Sequence, residues 1–240
     1  MYLIEYPDKL LLFDSGCKAD VDKVEKFVTQ TLHRPITDLK LVVVSHPHPD
    51  HLGGAATFQK KWNIPIATNL ETTRWYTGFH GRVNYLVDVL LTYYVGHRLK
   101  QSKRVDLFFQ ATIKPEHLIS EGSRLPGFED WQVLSTPGHT PMDMCFYHAE
   151  TETIYVADMF IKKRDKFIRP YPIYLPQDYR SSLGRVLKLP IKNFLLAHYG
   201  IVQLTEEGRL GLQGLIDATP KTPRTHRRSL HKVLLKFFKS

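Results

Sequence analysis

The sequence predicts a single α/β domain whose buried strands end in ligand-type residues. Three observations carry that reading. A chain of 240 residues with 42% apolar content can bury one sizeable core. Strand-like and helix-like patterns alternate along it, with no internal linker, repeat or low-complexity stretch. Four apolar runs each finish on a His or Asp: Leu41-Val42-Val43-Val44 before His46, Val133-Leu134-Ser135-Thr136 before His139, Ile154-Tyr155-Val156-Ala157 before Asp158, and Phe194-Leu195-Leu196-Ala197 before His198. Open sheets covered by helices gather their sites at the carboxyl ends of strands, so four such endings converge on one cleft.

In chain order, Tyr2 to Asp14 alternates like a strand. It lacks the basic segment and apolar run of a secretory leader. Leu10-Leu11-Leu12-Phe13 ends at Asp14-Ser15-Gly16, where Asp14 reads first as a turn residue. The next strand runs into His46-Pro47-His48-Pro49-Asp50-His51, three imidazoles and a carboxylate within six residues. Such donors suit zinc, and also manganese, iron or cobalt, whereas a thiolate-rich set would indicate a structural zinc site. His46 and His48, two apart in an extended segment, point the same way. Asp50 and His51 follow where the chain turns into a helix, which leaves room for two adjacent ions. One histidine among 12 would be an ordinary core or surface residue; the other strand endings are what separate this cluster from chance. Gly53 and Gly54 allow a helix to begin close by, with Ala55 to Trp62 as its body.

The interval from His51 to His139 is long. Within it, the apolar run from Val83 to Val95 is too short and too interrupted to span a bilayer, and reads as a buried or interfacial helix. Net charge is +9, yet residues 221–240 hold seven Lys or Arg and no acid, leaving only +2 for the rest. There Leu230, Val233, Leu234 and Phe237 fall at helical spacing among Arg227, Arg228, Lys232, Lys236 and Lys239. This basic amphipathic tail, 221–240, either packs on the domain 1–220 or, over 225–240, meets an anionic membrane; nucleic acid ranks last. Cys17 and Cys145 make no disulfide framework and read as reduced thiols of a cytoplasmic, at most membrane-peripheral, protein.

These motifs, taken in order, resemble the metallo-β-lactamase superfamily, whose pattern is His-x-His-x-Asp-His, then Gly-His, then Asp, then a last His. The resemblance implies a four-layer αβ/βα sandwich. It implies that His46, His48 and His139 hold a first metal, that Asp50, His51 and His198 hold a second, and that Asp158 bridges them. It also places Asp14 beneath the metals, steadying a ligand loop. In this family, an insertion such as residues 71–120 often forms a lid; an extra core helix is the alternative. One departure concerns the start: Met1 is followed at once by what the family uses as its second strand, so the first edge strand is expected to be missing.

By resemblance the activity is hydrolysis through two divalent ions, zinc first, which supply hydroxide near neutral pH. Asp50 is the candidate proton shuttle. The substrate expected is a small molecule with a lactone, ester or thioester bond and an apolar acyl part. Family lactonases present a Tyr shortly after the bridging Asp; here Met159-Phe160-Ile161 follow Asp158, so Tyr171, Tyr174 or Tyr199 must substitute, Tyr199 first because it adjoins His198. Lys162, Lys163, Arg164, Arg169 and Arg180 are candidates for binding a substrate anion, or else a solvated charged loop. A phosphodiesterase, a nuclease-type or a β-lactam-hydrolysing member is the alternative within the family. A non-catalytic metal-binding membrane adaptor is the alternative outside it.

Overall fold

The computed structural model describes residues 1–98 and 106–219, which form two compact units, Met1–Glu129 and Asp130–Ser240. The basic tail therefore lies outside the described residues, as do 99–105 within the long interval.

The first unit is built on a five-stranded sheet in the order β1 (Tyr2–Glu5), β2 (Leu10–Phe13), β3 (Leu39–Val43), β4 (Ile66–Thr68) and β5 (His117–Leu118). β1 pairs antiparallel with β2, and the later neighbours are parallel. Their sequences follow from position: all four residues of β2 are buried, the near-continuous apolar run that a parallel sheet covered on both faces requires. β1, at the edge, keeps its residues half exposed. Helix α1 (Val21–Lys26), the short α2 (Pro49–Leu52) and α3 (Ala55–Trp62) pack on this sheet through Val21, Val24, Leu52, Ala55 and Phe58. α3 stops where Asn63 turns left-handed at φ 53°, a C-terminal cap that Asn tolerates better than most residues.

The long interval holds α4 (Leu70–Arg74) and α5 (Gly78–Arg98). Asn69 caps α4 by accepting the Thr72 amide. One side of α5 belongs to the core: Val89 is buried, and Tyr85 packs there beside Tyr76, Leu107 and Phe109. The Tyr85 hydroxyl donates to the Phe109 carbonyl and accepts from its amide, pinning the returning chain to the helix. The other side of α5 carries exposed apolar side chains. Among the described residues, no helix is long and apolar enough to cross a membrane.

β6 (Arg124–Leu125) and β7 (Phe128–Ser135) lead into the second unit. Its sheet runs β13 (Gly200–Gln203), β12 (Asn193–Leu196), β9 (Thr153–Tyr155), β8 (Met144–His148) and β7, antiparallel except where β12 lies parallel to β9. A hairpin of β10 (Ile161–Lys163) and β11 (Lys166–Ile168) stands apart as its own two-stranded sheet. Helices α6 (Pro176–Val186) and α7 (Glu206–Ala218) cover a second core around Ile154, Tyr179, Leu183, Phe194, Leu212 and Ile216.

Candidate metal centre

The first unit positions five of the residues singled out by sequence. β3 ends at Val43, and the chain then leaves the sheet through Ser45-His46-Pro47-His48. His48 is extended at φ −60° and ψ 152°, as a residue before proline must be, and Pro49 then opens α2 at the position where its missing N–H costs nothing. His46 Nε2 and His48 Nδ1 come to 3.1 Å apart. With metal–nitrogen bonds of about 2.0–2.1 Å, two ligands of one tetrahedral ion lie about 3.3 Å apart, so this spacing fits a shared ion. His51, on α2, is buried, and its Nε2 lies 3.6 Å from Asp50 Oδ2.

Asp14 organises this loop from below. It is fully buried, and its backbone is left-handed at φ 57°, a conformation Asp reaches more readily than most non-glycine residues. Its carboxylate accepts three hydrogen bonds: the Ser45 amide at 2.7 Å, the Ser45 hydroxyl at 2.9 Å and His51 Nδ1–H at 2.6 Å. The Ser45 Oγ in turn lies 3.0 Å from His46 Nδ1, so a chain of donors runs from His46 through Ser45 to Asp14. Both imidazoles thereby carry their proton on Nδ1 and turn the Nε2 lone pair outward, the tautomer a metal needs. Ser15 adds a second clamp, its amide and hydroxyl each donating to the His51 carbonyl at 2.8 Å. The expected close start of the helix holds as well: a Cβ on Gly53 would sit 2.3 Å from the Pro49 carbonyl and one on Gly54 2.7 Å from the Ser15 carbonyl. Beside this loop, burial together with the charges of Asp50 and Asp20 pushes the Cys17 thiol up to about 12.

The second unit brings together His139, Asp158 and His198. Asp158 turns one oxygen to each histidine, Oδ2 lying 3.6 Å from His139 Nε2 and Oδ1 3.0 Å from His198 Nε2. The preceding Ala157 is left-handed at φ 45°, a strained backbone of the kind that gathers at functional positions. His139 Nδ1–H donates to the Pro172 carbonyl at 2.5 Å, which again leaves Nε2 as the available donor atom. The His139 loop is held on both sides. Gly138 lies so close to α6 that an added Cβ would meet Tyr179 at 2.7 Å, and the Ser182 hydroxyl donates to the Pro137 carbonyl at 2.9 Å. Asp143, buried, accepts the Thr140 amide at 2.7 Å and its hydroxyl at 2.5 Å. Burial raises the Asp143 carboxyl to about 6, against the opposing pull of His139 and of the Thr140 bonds.

Sequence reasoning passed over Ser45, Ser15 and Asp143. The spacing Thr140-x-x-Asp143 was the available signal, because a carboxylate three residues on from a Thr can tie a tight loop closed. Tyr199 is half exposed, and its ring lies 5.1 Å from the Lys162 ammonium. Two of the candidate anion-binding arginines have other employment. Arg169 donates to the Ala218 carbonyl and Arg180 to those of Ile216 and Thr219, so both cap the C-terminal end of α7, where cations offset the helix dipole.

The Metallo-beta-lactamase superfamily profile matches residues 1–198. The chain belongs to this superfamily. Among curated superfamily proteins, "Probable metallo-hydrolase YflN" of Bacillus subtilis is 21% identical over 212 residues, 79% of this chain and 75% of that one. "Probable metallo-hydrolase YqgX" of the same organism is 23% identical over 163 residues, 67% of this chain and 65% of its own. Among solved structures, the metallo-β-lactamase family protein TTHA1429 from Thermus thermophilus matches with a TM-score of 0.62 at 18% identity, covering all of this chain and 77% of that one. The mono-zinc form of FIM-1 from Pseudomonas aeruginosa gives 0.63 at 13%, covering 90% and 81%. At such identities the structural likeness establishes the metallo-β-lactamase fold alone.

Proposed function

We propose that this chain is a hydrolase of two divalent ions that cleaves a lactone, ester or thioester with an apolar acyl part. His46, His48 and His139 would hold one ion, Asp50, His51 and His198 the other, and Asp158 would serve both. The observation that carries the reading is Asp158, whose two oxygens face different histidines, as a bridging carboxylate needs. The donor set fits: imidazole nitrogens with their tautomers fixed by Asp14, Ser45 and the Pro172 carbonyl, plus carboxylate oxygens, and no thiolate. Zinc is the first choice, with manganese, iron and cobalt able to replace it. When bound, such ions polarise a carbonyl and lower the pKa of water toward neutrality.

The chain's own groups supply the rest. Asp50, with a third of its side chain exposed, is free of the tight burial that holds His51, and in this reading carries a proton to the leaving group. The Tyr199 hydroxyl would donate to the substrate carbonyl as negative charge develops on its oxygen. Lys162, beside Tyr199, would draw an anionic part of the substrate. One short match points elsewhere: "Ribonuclease J 1" of Streptococcus pyogenes is 32% identical over 74 residues, yet that stretch is only 12% of its length.

The test is metal content together with turnover of a panel: a long-chain homoserine lactone, lactoylglutathione, palmitoyl-CoA, nitrocefin and bis-p-nitrophenyl phosphate. About two metals per chain and carbonyl-ester turnover that vanishes in His48→Ala is the expected outcome. Turnover confined to the phosphodiester or to nitrocefin would reassign the substrate, and a chain that binds no metal would end the proposal. In the same assay, Asp50→Asn that keeps both metal and full rate would remove the proton-shuttle role.

A further inference from the structure

The first unit holds a cavity that the proposed hydrolase does not use. It is an open groove of about 300 Å³ between α3 and the chain that returns after α5, with Lys18, Thr57, Lys60, Phe108, Phe109 and Gln110 in its wall. None of these is a candidate metal ligand. Burial alternates along the returning chain as it does in an extended segment: Leu107 and Phe109 are buried, Phe108 and Gln110 exposed. The Tyr85 hydroxyl holds Phe109 by both its amide and its carbonyl, which fixes the backbone that presents the Phe108 ring. A volume of this size lies at the lower end for small-molecule sites, room for a ligand of one or two rings.

The charges of the wall select the ligand. It carries two ammonium groups and no carboxylate. Lys18 is paired with Asp106 at 2.9 Å, and the other oxygen of Asp106 accepts the Phe108 amide at 3.0 Å. Lys60 is placed differently. Its ammonium donates at 2.5 Å to a neutral group, Gln110 Oε1, and the Gln110 amide nitrogen donates to the Thr112 carbonyl at 2.8 Å, which sets the orientation of that amide. Among the described residues, no carboxylate meets the Lys60 charge. An ammonium has three donors, and Gln110 takes one. Thr57, one helical turn before Lys60, lies on the same face of α3, and its hydroxyl makes no hydrogen bond among the described residues. Exposed cations hold a bare anion weakly, and a neutral ring would leave Lys60 unmatched. A flat aromatic acid answers both, with its ring against Phe108 and its oxygens toward Lys60 Nζ and the Thr57 hydroxyl.

We propose that this groove is a binding site for a small aromatic acid, whose ring packs on Phe108 and whose carboxylate accepts from Lys60 and Thr57. It shares no residue with the proposed metal centre and is read by binding alone, so it stands or falls separately from the hydrolase reading.

The experiment titrates the full chain with 2-naphthoate and with its uncharged isostere 2-naphthamide, followed by the fluorescence of the probes. Wild type should bind the acid about tenfold more tightly than the amide. Lys60→Gln should remove that preference, and Phe108→Ser should weaken both probes about tenfold. Both replaced side chains are exposed, so thermal unfolding should stay unchanged. His48→Ala should bind 2-naphthoate as wild type does. No saturable binding, equal affinity for acid and amide, or undiminished 2-naphthoate binding by either groove variant would overturn the proposal. So would loss of 2-naphthoate binding in His48→Ala, which would place the probe on a metal ion instead.

Discussion

His51 and His198, which we propose as ligands of one ion, are held in opposite ways. His51 is 1% exposed, clamped through Nδ1 by a buried carboxylate and through its carbonyl by Ser15. His198 is 40% exposed at the end of β12, and its Nε2 lies 3.0 Å from another candidate ligand, Asp158. The first unit thus carries its candidate ligands on one contiguous loop held from beneath by Asp14. The second assembles three side chains from separate strand ends and ties them through Asp158. Where ligands are fixed before the ion arrives, little ordering remains to be done on binding; where they meet at a shared carboxylate, that carboxylate is the point of failure.

The largest effect should therefore follow loss of Asp158. Asp158→Asn keeps the volume but gives up one anionic oxygen, so one of the two histidine neighbours faces an amide nitrogen. Metal content by mass spectrometry should fall from about two per chain toward one or none. Turnover should fall roughly a thousandfold, about 4 kcal/mol of transition-state stabilisation. A variant that keeps two ions would remove the bridging role proposed for Asp158.

Asp14→Asn should cost less. Asn also tolerates the left-handed backbone at this position, so the loop keeps its path. The amide has a single accepting oxygen, so whichever way it turns its nitrogen faces a donor, either the Ser45 amide or the Ser45 hydroxyl and His51 Nδ1–H together, whereas Asp14 now accepts from all three. Loss of an outer partner of this kind lowers metal affinity by about 10- to 100-fold. A chelator titration compared with wild type reads it. An unchanged affinity would mean that His51 is held well enough by Ser15 and its burial, and that the contrast with His198 is one of exposure alone.

Much of this arrangement was legible in the sequence, and the parts that were not have a common character. Buried parallel strands and a short apolar helix write themselves as composition, so Ala55–Trp62 was expected with the bounds it has, and the buried run Leu10–Phe13 was visible although the strand was expected to continue to Gly16 and the stretch from Tyr2 to Asp14 is two paired strands. The His and Asp candidates were visible because ligand chemistry restricts residue type and strand ends restrict spacing. Ser45 and Asp143 were not, since a serine or aspartate that anchors a loop looks like any turn residue until its partners are known. The engagement of Arg169 and Arg180 was hidden for the same reason, as a cation near a site in sequence can be engaged at a helix end. The outer stripe of α5 was hidden by the helix being apolar on more than one side: its composition reads as burial, and only the packing tells which face is left over.

The smallest effect tests how the second unit holds the His139 loop without a clamp like that of Asp14. Asp143 does this work from a buried position, and burial lifts its carboxyl from 3.8 to about 6. The folded state thus binds the proton more tightly than the unfolded state. The stabilisation from the protonated group is complete below about pH 4 and disappears as pH rises through about 6, so the metal-free protein should lose thermal stability over that window. Asp143→Asn removes the titration. It also places an amide nitrogen against one of the two Thr140 donors, which lowers stability by a constant amount at every pH. The midpoint difference between wild type and Asp143→Asn should therefore shift in favour of the variant between pH 4 and 6.5, with a flat offset on either side. A difference that does not change with pH would place the Asp143 proton outside this window, and would make the two Thr140 hydrogen bonds alone the anchor of the His139 loop.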